Sequence, residues 1–176
     1  MAKIKFERLA GLAFAGMLSQ AAVAADGMIN FNGQIVDTPC SISPASQNMT
    51  VPLGNVRRDL FTAVGVKATP ARFNIDLNCG ASAKGATVTF SGVPDANVID
   101  DLRVGVGEVA GAAATGIAIE LGDSAGTKIG LGSESGQYTL VQGDNPLKFQ
   151  AVYVQTLPAV TVGTANAVSQ FTVNYK

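Results

Sequence analysis

Apolar side chains recur at every second position in segment after segment of this 176-residue chain. In residues 72–78, Phe73, Ile75 and Leu77 alternate with Asn74 and Asp76. Residues 87–91 set Val88 and Phe90 against Thr87, Thr89 and Ser91. Residues 117–121, 147–154 and 168–175 repeat the pattern, as do residues 27–35 near the N-terminus. Successive strand side chains point to opposite faces, so period two means strands with one face buried. No stretch carries a capped 3.6-residue face. Clusters at Pro94-Asp95, residues 132–136 and Gly143-Asp144-Asn145-Pro146 are expected to be turns between strands. Residues 100–114, rich in Gly and Ala, carry no clear pattern. Many strands joined by turns predict an all-β domain, an immunoglobulin-like sandwich.

The first residues read as an address. Lys3, Lys5 and Arg8 are followed by an uncharged apolar run over residues 9–18 and by Ala22-Val23-Ala24. This three-part pattern is a secretory signal peptide, and the apolar run is too short to span a bilayer. Cleavage is expected after Ala24, with Ala25 the neighbouring option, leaving a chain of 152 residues. That leader takes three of the 12 basic and one of the 13 acidic residues, so the remainder carries a net charge of −3. A chain of about 150 residues can bury roughly 70% of its extended surface. Export implies an oxidising compartment, where the two cysteines, Cys40 and Cys79, are expected to pair. Closing that loop stabilises by roughly 4 kcal/mol in the chain-entropy treatment.

Composition excludes most chemistry. The absence of His removes His-based triads and nearly all zinc and copper sites. The adjacent Asp100 and Asp101 face opposite ways on a strand, and Asp123, Glu134 and Asp144 lie in turn-like contexts. Gly105-Val106-Gly107 and Gly130-Leu131-Gly132 lack the spacing of a phosphate loop. No catalytic, cofactor or metal residues are expected. The slight negative charge gives no footing for nucleic acid, and no segment after the leader could cross a membrane. A secreted carbohydrate-binding module remains as an alternative of another class. Absence of Trp and only 6% aromatic residues count against it.

Several short motifs add a resemblance. They are Phe31-Asn32-Gly33, residues 36–43 (Val-Asp-Thr-Pro-Cys-Ser-Ile-Ser), Leu77-Asn78-Cys79, residues 149–153 (Phe-Gln-Ala-Val-Tyr), Gly163 and the terminal residues 171–176. In this order, behind a signal peptide, the chain resembles the pilin subunits of chaperone–usher fimbriae, of the type 1 and P kind. The resemblance spans the whole mature chain. It implies a six-stranded immunoglobulin-like sandwich lacking its last strand, over residues 39–176. It implies that residues 25–38 are a donor strand, with Ile29, Phe31, Gly33 and Ile35 entering a neighbour's groove. Gly163, Phe171, Val173 and Tyr175 are expected to border the groove that first a periplasmic chaperone and then the next subunit fills. The implied partners are that chaperone, an outer-membrane usher and neighbouring subunits. The implied destination, reached through the periplasm, is a fimbria on the cell surface. A shaft subunit supporting adhesion is the first expectation and a minor adaptor or anchor subunit the alternative.

Overall fold

A computed structural model describes residues 39–176. The expected signal peptide (residues 1–24) and donor segment (residues 25–38, with Ile29, Phe31, Gly33 and Ile35) lie outside the described residues.

Among the described residues eight strands form two sheets. They are β1 Cys40–Ile42, β2 Ala71–Cys79, β3 Gly85–Gly92, β4 Leu102–Arg103, β5 Ile117–Asp123, β6 Tyr138–Thr139, β7 Gly143–Gln155 and β8 Ser169–Tyr175. One sheet runs β1-β2-β7-β5-β4 and the other β6-β3-β8, with every strand pair antiparallel. The β4 and β6 strands are two residues long. The remaining six match the expected strand number. The one α-helix among the described residues is a single turn, α1, Pro44–Gln47. Ser43 caps it, and Pro44 sits where a missing N–H costs nothing.

Alternation places the core. Ile75 and Leu77 of β2, Val88 and Phe90 of β3, and Leu147 and Phe149 of β7 are buried between the sheets. The Phe90 ring meets Phe149 edge-on at 5.1 Å, and Phe73 lies 5.7 Å from Phe149 and 6.3 Å from Phe90. These contacts tie β2 and β7 to β3 across the sandwich. Edge-to-face ring pairs of this kind contribute about 0.5–1.5 kcal/mol beyond area burial.

Two turn expectations are corrected. Gly143-Asp144-Asn145-Pro146 is not a turn but the start of β7, paired with residues 76–79 of β2. Pro146 is tolerated for a specific reason. Its partner Asp76 sends its own N–H to Ser46 Oγ (2.9 Å) and its C=O to Ser43 N (2.9 Å), away from β7. The Pro146 nitrogen therefore faces the other side, where β5 does not begin pairing until Phe149. A proline with its nitrogen on an unpaired side costs no ladder bond. The turn-like context expected for Asp123 also shifts. β5 continues to Asp123, whose carboxylate then accepts from Ala125 N and Thr127 N at 2.9 and 2.8 Å. Those bonds, Thr127's first, hold the Asp123 carboxyl below its ordinary range.

Candidate functional site

Sheet β6-β3-β8 ends at β8. Its residues pair with β3 from Ala86↔Tyr175 to Gly92↔Ser169. Among the described residues no strand pairs with its other edge. The facing stretch, residues 49–55, belongs to no strand or helix and has Met49, Val51 and Leu53 half-buried and Thr50, Pro52 and Gly54 exposed. Among the described residues no backbone hydrogen bond joins this stretch to β8 or to the residues before it. Between the two walls lies an elongated groove of about 680 Å³. Its floor is the core itself: Phe73, Ile75, Phe90, Leu121, Ala151 and Tyr153. Phe73 and Phe171 are only half-buried, because nothing else in this part of the chain covers them.

An interior left open along a slot beside an unpaired strand edge is an incomplete sandwich. The slot has the two complements that one added strand needs. The β8 edge offers main-chain donors and acceptors, and the floor offers apolar contact for alternate side chains.

Each expected groove residue has a definite place. Phe171 lines the groove directly. Val173 and Tyr175 follow on the same face of β8 and pack on the core. The Tyr175 hydroxyl donates to the Cys40 carbonyl at 3.3 Å, and burial pushes its pKa up. Gly163 lies apart from these three. It precedes β8 by six residues and lines an adjoining cavity of about 400 Å³ with Val160 and Val162. There it presses on the chain opposite. A Cβ at Gly163 would fall 2.4 Å from Ala114 N and 2.6 Å from Ala112 O. Glycine is thus required for close approach to residues 112–114, where Thr164 N donates to Ala112 O and Ala114 N to Thr164 O. Its distance from β8 separates it from the strand with which it was grouped.

Other groove residues carry weak sequence signals. Ala165 and Ala167 are half-buried on the wall, and the Tyr153 hydroxyl donates to Ala165 O at 2.9 Å. Burial raises the Tyr153 pKa, so the phenol stays a neutral donor. The wall at 49–55 makes no ladder. Its alternation of Met49, Val51 and Leu53 is the one signal that could have placed it.

At one end of the body Cys40 and Cys79 oppose each other in register and form a disulfide with Cα atoms 3.9 Å apart. It fastens the three-residue β1 to β2 immediately after the point where residues 25–38 join the body.

Comparison with known proteins agrees with this geometry. The family model described as fimbrial protein matches residues 29–176. The probable major fimbrial subunit LpfA of Escherichia coli O157:H7 is 39% identical over 100% of this chain and 98% of its own. Long polar fimbria protein A of Salmonella typhimurium is 37% identical with the same coverage. Among solved structures, the type I fimbria protein BPSL1626 of Burkholderia pseudomallei is 36% identical. It superposes with a TM-score of 0.61 over 80% of this chain and 91% of its own. The P pilus rod subunit PapA superposes with a TM-score of 0.66 at 27% identity, over 79% of this chain and 100% of its own. These are structural subunits and not enzymes. Open groove, unpaired β8 edge and sequence together lead to one conclusion: the chain belongs to the fimbrial protein family, the structural pilin subunits of chaperone–usher surface fimbriae.

Proposed function

We propose that this subunit polymerises by donor-strand exchange, with residues 25–38 of one copy completing the sandwich of the next. One observation carries the reading: a largely apolar groove floored by the core opens beside the start of β8, a strand that pairs on one side only among the described residues. Ile29, Phe31 and Ile35 share one parity and supply the side chains such a groove takes. Each, fully buried, is worth about 1.5–3 kcal/mol. Gly33, on the same parity, lets the backbone approach closely. Every copy gives one strand and accepts one, so the contact is heterologous and does not close, which builds a filament.

Residues 1–24 direct export and are removed. In the periplasm a chaperone fills the groove until an outer-membrane usher brings the next subunit, since an exposed apolar edge would otherwise aggregate. The assembled fibre supports adhesion. Its relatives named as major subunits favour a shaft position over a minor adaptor. A peptide of residues 25–38, added to the subunit body from Pro39 onward, tests the exchange directly. Saturable binding is expected, and loss of it on changing Phe31→Glu in the peptide. Equal binding of the altered peptide would refute the reading.

A further inference from the structure

The outward face of the five-stranded sheet gathers positive charge on a chain that is net negative after its leader. Ile119, Leu121, Ala151 and Tyr153 point into the core, so the alternate positions of β5 and β7 point away from it and from the groove. Register places the cations among them. Arg72 is opposite Gln150, with Lys148 two residues along the same strand. Lys67 is opposite Val154, Val154 opposite Ala118, and Ala118 opposite Arg103. Lys128 is opposite Gly122, in the row of Gln150 and Arg72. Five of the nine Lys and Arg residues after the leader thus stand on one face. The backbone positions of Lys67, Arg72, Arg103 and Lys128 mark a near-square about 14 Å on a side, from strand spacings of ~4.8 Å and a rise of ~3.4 Å per residue. Within it Glu120 follows Ile119, and Asp101 precedes Ile119's partner Leu102, so the two carboxylates are neighbours. They are 7% and 2% exposed, and each is taken by a lysine: Lys67 Nζ lies 2.6 Å from Glu120 Oε1 and Lys128 Nζ 2.7 Å from Asp101 Oδ1. Arg72, Arg103 and Lys148 are exposed, and none of them is in an ion pair among the described residues. The face therefore hides its negative groups and presents its positive ones.

We propose that this face binds an acidic polysaccharide, a glycan chain bearing carboxylate or sulfate groups at intervals, through Arg72, Lys148 and Arg103. Charge complementarity selects the ligand. The cations are spread over the width of several strands, which suits a chain of repeated negative charge better than one small anion. A free guanidinium pairs an oxyanion through two N–H bonds at once. Neutral sugars are held by stacking on exposed aromatic rings, and no aromatic residue among those described is exposed. Asp76 and Asp144, exposed at the disulfide end of the same face, repel a polyanion there. The chain is thereby steered across the strands, from Arg72 and Lys148 towards Arg103. Filling the groove leaves this face open, so the site stands apart from strand exchange. Each contact is weak on a solvated surface, and repetition of the face along a fibre multiplies them.

The test passes fibres assembled from full-length chain over immobilised heparin, hyaluronan and neutral dextran. Retention is expected on heparin, on hyaluronan or on both, and not on dextran. It is expected to weaken several-fold as salt rises from about 50 to about 200 mM. Arg72→Glu is expected to lower retention several-fold at equal fibre mass, and Arg72→Gln, which adds no opposite charge, serves if the reversal lowers fibre yield. Lys84→Glu makes the same charge change off this face, between β2 and β3, and is expected to leave retention unchanged. Passage of unaltered fibres through both acidic glycans overturns the proposal. So does undiminished retention of the Arg72 variants. Equal loss from Lys84→Glu also overturns it, because net charge and not this face then governs binding. Stronger binding to phosphatidylglycerol vesicles than to either glycan overturns the polysaccharide as the ligand.

Discussion

Asp101 shows how much one residue's neighbourhood departs from its local sequence. On a strand, adjacency would turn Asp100 and Asp101 to opposite faces; they lie instead in the turn before β4, with Asp100 exposed and Asp101 2% exposed. What adjacency cannot supply is the partner, Lys128, 27 positions on, whose Nζ lies 2.7 Å from Asp101 Oδ1. Burial pushes the Asp101 carboxyl up, and Glu120 and Asp100 add to it, while Lys128 pulls down. Native protein therefore takes up this proton before unfolded protein does. The carboxyl's contribution to stability grows as pH falls from its raised value to the ordinary value of about 3.9, and is level below that. Lys128→Met should raise the Asp101 midpoint further, as read by carboxyl-carbon NMR titration. Its stability cost should stay below the ~3–5 kcal/mol of a fully enclosed pair, because Lys128 is 32% exposed. That cost should shrink as Asp101 is protonated. A midpoint unmoved by the substitution would show that the pair does not govern this carboxyl.

Among the elements, strands whose pattern comes from burial on one face were legible, and edges were not. The expected spans 72–78, 87–91 and 168–175 fall on β2, β3 and β8 almost end to end. The start of β7 was hidden because its residues are turn formers, and only the hydrogen-bonding of Asp76 on the neighbouring strand makes room for Pro146. The wall at 49–55 was missed because it has no ladder of its own. Cys40 and Cys79 were legible from export and count alone, and they sit opposed in register. Cys40→Ser with Cys79→Ser should lower stability by about 2–5 kcal/mol in urea unfolding. The cost falls on β1, whose three residues have few other ties. Unchanged stability would mean that β1 holds without its covalent link. For the donor segment, Gly33 is the odd position without a side chain between Phe31 and Ile35. If that segment is the donor strand proposed above and Gly33 meets a shallow part of the groove, a leucine there would overpack the site, typically costing ~1–3 kcal/mol or more. Gly33→Leu should leave the subunit's own fold and chaperone complex intact and block its insertion into another copy. An exchange assay that resolves chaperone-bound subunit from subunit dimer decides this, and a normal dimer yield with the altered donor would rule it out.

For the whole molecule, the sandwich's composition and its groove belong to one problem. A chain of this length can build a full core, yet this body keeps Phe73 and Phe171 half-covered beside a groove of about 680 Å³. Sequence periodicity revealed that strands existed, but a missing strand leaves no periodicity to read, so the groove was legible only through family resemblance. Under the proposed strand exchange, stability is shared between copies. A partner that binds the native body and not the unfolded chain stabilises it by RT ln(1 + [L]/Kd), about 2.7 kcal/mol at a hundredfold excess over Kd. The mature chain without chaperone or donor should therefore unfold at low urea and scatter light increasingly with concentration, since its free edge and open core invite non-specific pairing. Adding the 25–38 peptide should suppress the scattering and raise the melting temperature steadily with the logarithm of peptide concentration. A monodisperse, stable monomer whose melting temperature ignores the peptide would mean that the body is already complete, and that the open groove plays no part in its stability.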